Sequence, residues 1–214
     1  MKNKISPLSL LSPAKLKKVL SFGTKGYLAD IGWFNSFETK MPVDGSGQPI
    51  PWVTYSFIDF IKDRINSSHS IFEFGSGNST LFYAKRSGRV VSVEHDKAWF
   101  DKIYEGKPAN SELVFCELVD DGRYCRMAGN FDEKFQIIIV DGRDRSNCCK
   151  QSLSALTDDG VLILDDSERP QYRDAIVYMK EQGYKELPFS GIAPGSFIYK
   201  STSVFYKKEN CLSI

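Results

Sequence analysis

Five apolar runs of this sequence end in acids: Glu73, Glu94, Asp120-Asp121, Asp141 and Asp165-Asp166. One acid after a strand is explained by capping of the next helix; five in succession ask for a common role. The first is followed by a glycine turn, "IFEFGSGNST" from Ile71 to Thr80, which runs into "LFYAKR". A strand, a glycine turn and a helix start make a loop of the kind that cradles a nucleotide. A diphosphate wants backbone N–H groups and no anion nearby, yet Glu73 would face it with like charge. Thr80 stands where the GxGxxG pattern needs its third glycine. Both features weigh against a dinucleotide, and no Gly-Lys-Ser/Thr follows to make a Walker loop.

A cationic cofactor with a free amino-acid end suits the same residues. Glu73 can help to hold its ammonium, directly or through water. Gly75 and Gly77 let the backbone approach without a Cβ in the way, and Ser76, Asn78 and Ser79 complete the turn. Glu94 lies 21 residues after Glu73, the reach of a carboxylate that accepts both ribose hydroxyls. Asp121-Gly122 can accept from an adenine amino group. The set fits S-adenosylmethionine better than any diphosphate. If the acceptor is a hydroxyl, its proton must be removed, and Asp141, Asp144, Asp165 and Asp166 are candidates. Neighbouring aspartates raise one another's pKa, which suits a base. Arg143, Arg145 and Arg169 either pair with these acids or hold an acidic or sugar-like acceptor as guanidinium forks. Trp52 and Tyr55 either pack in the core or stack on an acceptor ring.

Elements that would position these residues are readable from Ser70 onward. "SIFEF", "RVVSVE", "ELVFCEL", "FQIIIVD" and "GVLILD" read as strands. Helical stretches are expected near 79–87, 97–105, 147–157 and 171–183. Strands without polar alternation imply burial on both faces, hence a parallel sheet. Alternation with helices implies a doubly wound α/β fold. "YKELPFS" and "TSVFYKK" follow with no helix between them, so an antiparallel end is expected. Two regions result: a helical cap and loop over 1–65, and a Rossmann-like core over 66–214.

In the cap, "SPAKLKKVLSF" reads as a short helix with Ser12 as its cap and Pro13 in its first turn. Leu16, Val19 and Leu20 share one face. Up to Lys40 seven lysines (2, 4, 15, 17, 18, 25, 40) stand against Asp30 and Glu38. Packing of this basic amphipathic helix on the core is favoured over contact with a membrane surface. A proline- and glycine-rich loop, "MPVDGSGQPIPW", follows. "VTYSFIDFIKDRI" then reads as an amphipathic helix.

The 214 residues suit one globular domain with an appendage, and a net charge of +1 argues against a general nucleic-acid binder. No apolar run approaches the ~20 residues that span a bilayer. The N-terminus lacks the pattern of a signal peptide. Cysteines at 116, 125, 148, 149 and 211 form no CxxC and read as reduced thiols of a cytoplasmic protein. The terminal "CLSI" fits a C-a-a-X box, but no polybasic run beside it supports a lipid anchor.

"FEFGSGNST", "VVSVEHD", "IIIVDGRDRSNC" and "GVLILDDSERPQY" together resemble the class I S-adenosylmethionine-dependent methyltransferases, from about residue 65 to the end. The resemblance implies a seven-stranded sheet with an antiparallel last strand. It makes Glu73, Gly75 and Gly77 the glycine motif, Glu94 the ribose acid, Asp121 the adenine contact and Asp141 the motif after strand four. Asn78-Ser79 replace a commoner glycine, a variant within such enzymes. Asp141, Asp165 and Asp166 also resemble the metal ligands of the magnesium-dependent catechol-type O-methyltransferases, and hard oxygen ligands suit Mg²⁺. That family has a lysine three residues after the first aspartate; Asp144 stands there instead. The expected activity is O-methylation of a small-molecule or glycan-type acceptor. An aminopropyltransferase, whose relatives carry an N-terminal β-domain that is not evident here, and a non-catalytic S-adenosylmethionine-binding module are the alternatives.

Overall fold

The computed structural model describes residues 12–214, so Lys2 and Lys4 of the basic segment lie outside the described residues. In chain order the strands are β1 (Ser70–Phe74), β2 (Arg89–Glu94), β3 (Ser111–Phe115), β4 (Phe135–Val140), β5 (Leu156–Asp165), β6 (Lys185–Gly191) and β7 (Lys200–Tyr206). They form one sheet in the order β3-β2-β1-β4-β5-β7-β6. The first five pair in parallel, and β7 runs antiparallel between β5 and β6. Along β1, Ile71 packs on one face of the sheet, and Phe72 and Phe74 pack on the other. Burial on both sides is why these strands read as unbroken apolar runs.

The helices are α1 (Pro13–Leu20), α2 (Tyr27–Asp30), α3 (Trp33–Thr39), α4 (Tyr55–Ile61), α5 (Asn78–Ala84), α6 (Lys97–Tyr104), α7 (Arg145–Gln151) and α8 (Arg173–Glu181). The helix expected over 147–157 ends early. The chain turns through Leu153–Ala155 and is already in β5 at Leu156, because Leu156 pairs with Phe135 of β4 across a register shift. The cap helix expected over 53–65 is helical only over α4, whose Tyr55, Phe57, Ile58 and Ile61 are buried. Trp33, Ile50, Val53 and the α4 residues share one apolar cluster with Ile71, Phe82, Ile137 and Ile163 of the core. The cap thus covers one face of the sheet.

One expectation about α1 is corrected. It does not pack on the core: none of its residues is buried, and Leu16, Val19 and Leu20 are 47%, 46% and 72% exposed. A stripe of three apolar side chains flanked by lysines gains too little to offset desolvating the ammonium groups beside it. Ser12 does stand at the N-cap with Pro13 in the first turn, although its side chain makes no cap hydrogen bond; its carbonyl accepts the first intrahelical bond, from Leu16 N at 2.9 Å. Among the described residues no helix is long and apolar enough to cross a membrane.

Candidate active site

The sheet order reverses between β1 and β4. Their following connections leave to opposite sides and open a crevice at the strand ends, where ligands of open α/β sheets bind. A cavity of about 490 Å³ lies there, lined by Glu73, Gly75, Ser76, Ser79, Glu94, His95, Asp96, Trp99, Asp141, Gly142, Arg143 and Arg145, with Trp52 of the cap at its rim. The floor is close-packed at Gly142. Gly75 adopts φ +101°, and a Cβ on it would lie 3.4 Å from Gly142 Cα. A Cβ on Gly142 would collide with the Tyr124 hydroxyl and come within 3.0 Å of Gly75 N. The two loops therefore meet backbone to backbone.

Glu73 is 1% exposed. Its Oε2 accepts from Thr80 Oγ1 at 2.7 Å and from Ser92 Oγ at 2.8 Å. Burial raises its pKa, and the Glu94 charge adds to the rise, while hydrogen bonds from Ser79, Thr80 and Ser92 oppose it. Thr80 Oγ1 also accepts from Gly77 N at 3.1 Å. The residue that displaces the third glycine thus ties the turn to the acid. Glu94 Oε1 accepts from the backbone N–H groups of His95 and Asp96 at 2.8 and 2.9 Å, and its Oε2 accepts from Ser76 Oγ at 3.0 Å. Asp96 caps α6 by accepting from Trp99 N at 3.0 Å, and Trp99 Nε1 returns to Ser76 O at 2.9 Å. Asn78 faces the cap, donating from Nδ2 to Pro42 O at 2.7 Å.

At the other end of the cavity, Arg145 is enclosed by acids. Its Nη2 lies 3.0 Å from Asp141 Oδ1, and its Nη1 lies 3.4 Å from Asp165 Oδ2 and 3.0 Å from Asp166 Oδ2. It also donates to the carbonyls of Asp141, Gly142 and Asp165. Lys200, at the start of β7, places Nζ 2.6 Å from Asp165 Oδ2 and 3.1 Å from Asp166 Oδ1, and donates to Trp52 O at 2.8 Å. Arg169 reaches Asp166 at 2.9 Å from the exposed side. Thr202 Oγ1 donates to Asp165 Oδ1 at 2.8 Å. Burial and the neighbouring Asp165 charge raise the Asp141 pKa well above the ordinary carboxylate value, against the opposing pull of Arg145 and Lys200.

This arrangement corrects two expectations. Among the described residues no group of three or more side chains is arranged to hold a metal ion. The carboxylates read as Mg²⁺ ligands, Asp141, Asp165 and Asp166, converge on two protein cations instead. Arg145 is likewise no free fork for an acceptor, because all its donors are used internally. Asp166, a candidate base and metal ligand from the sequence, is buried in the same cluster with φ +56°.

The remaining candidates divide by position. Arg143 is exposed at the cavity and Trp52 forms its rim, while Tyr55 belongs to the apolar cluster under the cap. Asp121 does not line the cavity: it is bound to Arg126 at 2.7 Å, and its N–H donates to Asp144 Oδ2 at 3.0 Å. Gly122 lines a different hollow beside β3. Asp144 accepts as well from Asn147 Nδ2 at 2.8 Å, so it fastens the loop after β4 to the loop after β3. Lys200, Gly142, Ser92 and Trp99 escaped the sequence reading. Only Lys200 had a signal: an antiparallel last strand beside β5 must begin where β5 ends.

No family model and no curated protein matches this sequence. Solved structures do match. A Staphylococcus aureus protein assigned as a caffeoyl-CoA O-methyltransferase is 14% identical, covers 89% of this chain and 98% of its own, and superposes with a TM-score of 0.54. A Streptococcus mutans protein assigned as a methyltransferase, crystallised with S-adenosylhomocysteine, is 12% identical over 72% of this chain and 99% of its own, with a TM-score of 0.52. Spermidine synthase from Thermotoga maritima is 12% identical over 74% of this chain and 61% of its own, with a TM-score of 0.54. With its seven-stranded sheet, its β1–β4 crevice and its antiparallel end, the chain has the Rossmann-like fold of the class I S-adenosylmethionine-dependent methyltransferases.

Proposed function

We propose that this protein is an S-adenosylmethionine-dependent methyltransferase that acts on a hydroxyl group of a small-molecule or glycan-type acceptor. The observation that carries the reading is the cavity between β1 and β4, which brings Glu73, Glu94, Asp96 and Asp141 to face one space against Arg143 and Arg145. Four acidic side chains, Glu94 and Asp96 with the buried Glu73 and Asp141, line the space beside two guanidinium groups, a setting that suits a cationic ligand with hydroxyl groups better than a diphosphate. In this reading Glu73 and the Gly75–Gly77 turn hold the amino-acid end, and Glu94 accepts from the ribose hydroxyls. The matched proteins assigned as methyltransferases support the reading through the shared fold.

When bound, S-adenosylmethionine supplies a methyl group already activated as a sulfonium. The chain must then orient an acceptor, exclude water and receive a proton. Asp141 is the base of this proposal. Arg145 holds its Oδ1 at 3.0 Å, and the carboxyl lines the cavity, where in this proposal it takes the hydroxyl proton as the oxygen–carbon bond forms and the carbon–sulfur bond breaks. Its raised pKa makes it a stronger base than a surface aspartate. Trp52, held over the site by Lys200 Nζ at its carbonyl, shields the cavity from the cap side. Arg143 is the exposed cation left to meet an acidic or sugar-like acceptor.

Titration calorimetry with S-adenosylmethionine, decarboxylated S-adenosylmethionine and NAD tests the cofactor. Heat with the first and little with the others is expected; preference for decarboxylated S-adenosylmethionine would point to aminopropyl transfer instead. A screen of hydroxyl acceptors for S-adenosylhomocysteine release then tests turnover, and binding without release from any acceptor class would leave a binding module.

A further inference from the structure

Residues 12–29 contain four lysines, at 15, 17, 18 and 25, and no acid, in a chain whose net charge is +1. Up to Phe22 the same segment leaves its large apolar side chains in solvent. Leu16, Val19 and Leu20 of α1 are 47%, 46% and 72% exposed, and Phe22 in the following turn is 50% exposed. At 3.6 residues per turn, Leu16, Val19 and Leu20 form one stripe, Lys15 and Lys17 stand on its two flanks and Lys18 stands opposite. Flanking lysines can run their methylene stems along apolar surface while the ammonium groups reach outward.

We propose that α1 and the turn after it dock this protein on an anionic phospholipid surface, with Leu16, Val19, Leu20 and Phe22 at the acyl boundary and the lysines among the headgroups. The chemistry of the segment selects this partner. Lysines without neighbouring acids favour an anionic partner, and an apolar stripe between them favours an apolar one. An anionic bilayer presents both in one plane. A nucleic acid offers the charge and leaves the stripe in water. A second copy of the chain, meeting α1 on α1 about a two-fold axis, would set lysine against lysine. At eight residues, about 12 Å long, α1 lies in the interface and does not cross it. The inference does not depend on the proposed methyl transfer.

The test is flotation of the full chain with phosphatidylcholine vesicles, with and without phosphatidylserine, as salt is raised. Binding to the anionic vesicles is expected, weakening with salt. K15Q/K17Q/K18Q should lower partitioning on the order of 100-fold, since each lysine near an anionic surface contributes about fivefold. L16S/L20S should also release the protein while leaving the lysines intact. Neither variant touches a buried residue, so both should melt at the wild-type temperature. The proposal is overturned by absence of binding to anionic vesicles at low salt, by equal binding to phosphatidylcholine alone, or by unchanged binding of the triple variant. It is equally overturned if a duplex oligonucleotide outcompetes the vesicles, or if L16S/L20S turns a dimer into a monomer.

Discussion

Lys200 Nζ lies 2.6 Å from Asp165 Oδ2 across the β5–β7 pair, and the same nitrogen donates to Trp52 O at 2.8 Å. One ammonium therefore joins the acids of the sheet edge to the cap. Three carboxylates (Asp141, Asp165 and Asp166) share two largely buried cations, Arg145 and Lys200. Burial alone would lower the Lys200 pKa, but the charges of Asp165, Asp141 and Asp166 raise it. K200M removes the cation and leaves buried charge uncompensated. A loss of about 3–5 kcal/mol in stability is expected, as for other broken buried pairs, measured by urea unfolding. Methyl transfer in K200M should also need a higher pH, because Lys200 holds the Asp141 pKa down.

Asp141 sets a pH dependence whose sign follows from its raised pKa. Its basic form accumulates only as pH passes through that raised value, so methyl transfer should climb with pH above the ordinary carboxylate range. D141N should lower kcat by about 10²–10⁴-fold and flatten the profile. Stability runs the other way. The folded state binds this proton more tightly than the unfolded chain, so the contribution is greatest at low pH and declines as pH rises through the raised value. Melting curves across pH should show that decline in wild type and lose this component in D141N.

Glu94 makes a direct test of the cofactor proposal. Hydrogen bonds to a charged group contribute roughly 1.5–3 kcal/mol each, so E94A should weaken S-adenosylmethionine binding at least about tenfold by calorimetry. The side chain also accepts from His95 N and Asp96 N, so the melting temperature should be recorded beside the affinity. Wild-type affinity in a folded E94A would remove Glu94 from the site.

Gly142 tests the packing of the crevice floor. A Cβ there meets the Tyr124 hydroxyl and Gly75 N. G142A should destabilise by about 1–3 kcal/mol, the usual range for overpacking. Adding Y124F removes the nearest atom, so the double variant should recover part of that loss in thermal unfolding.

Chelation tests the charge arrangement at Asp141, Asp165 and Asp166. With Arg145 and Lys200 already among these carboxylates, EDTA should leave methyl transfer unchanged and added Mg²⁺ should not raise it. Loss of activity in EDTA, restored by Mg²⁺, would contradict that outcome.

The sheet is legible in the sequence because a strand buried on both faces is an unbroken apolar run, and "SIFEF" and "FQIIIV" are such runs. Glu73 and Glu94 are legible because each ends a run, and the parallel register puts both at one edge. Asp121 is less legible because β3 stops at Phe115; it pairs with Arg126, five residues further on, a placement that strand periodicity does not report. Lys200 looks like an ordinary strand-end lysine, and its partners belong to a strand 35 residues earlier, Asp165. The exposure of α1 is invisible to periodicity, which reports that a stripe exists and not what covers it.

Two of the chain's three tryptophans, Trp52 and Trp99, line the cavity, while Trp33 is buried within the cap. The Trp99 indole rests beside the glycine turn with its N–H on Ser76 O, and Trp52 stands at the rim. Anything that enters changes the polarity around both rings at once and leaves the third as an internal reference. The protein therefore carries its own optical reporter of occupancy, one that requires no label and can be followed on the stopped-flow timescale.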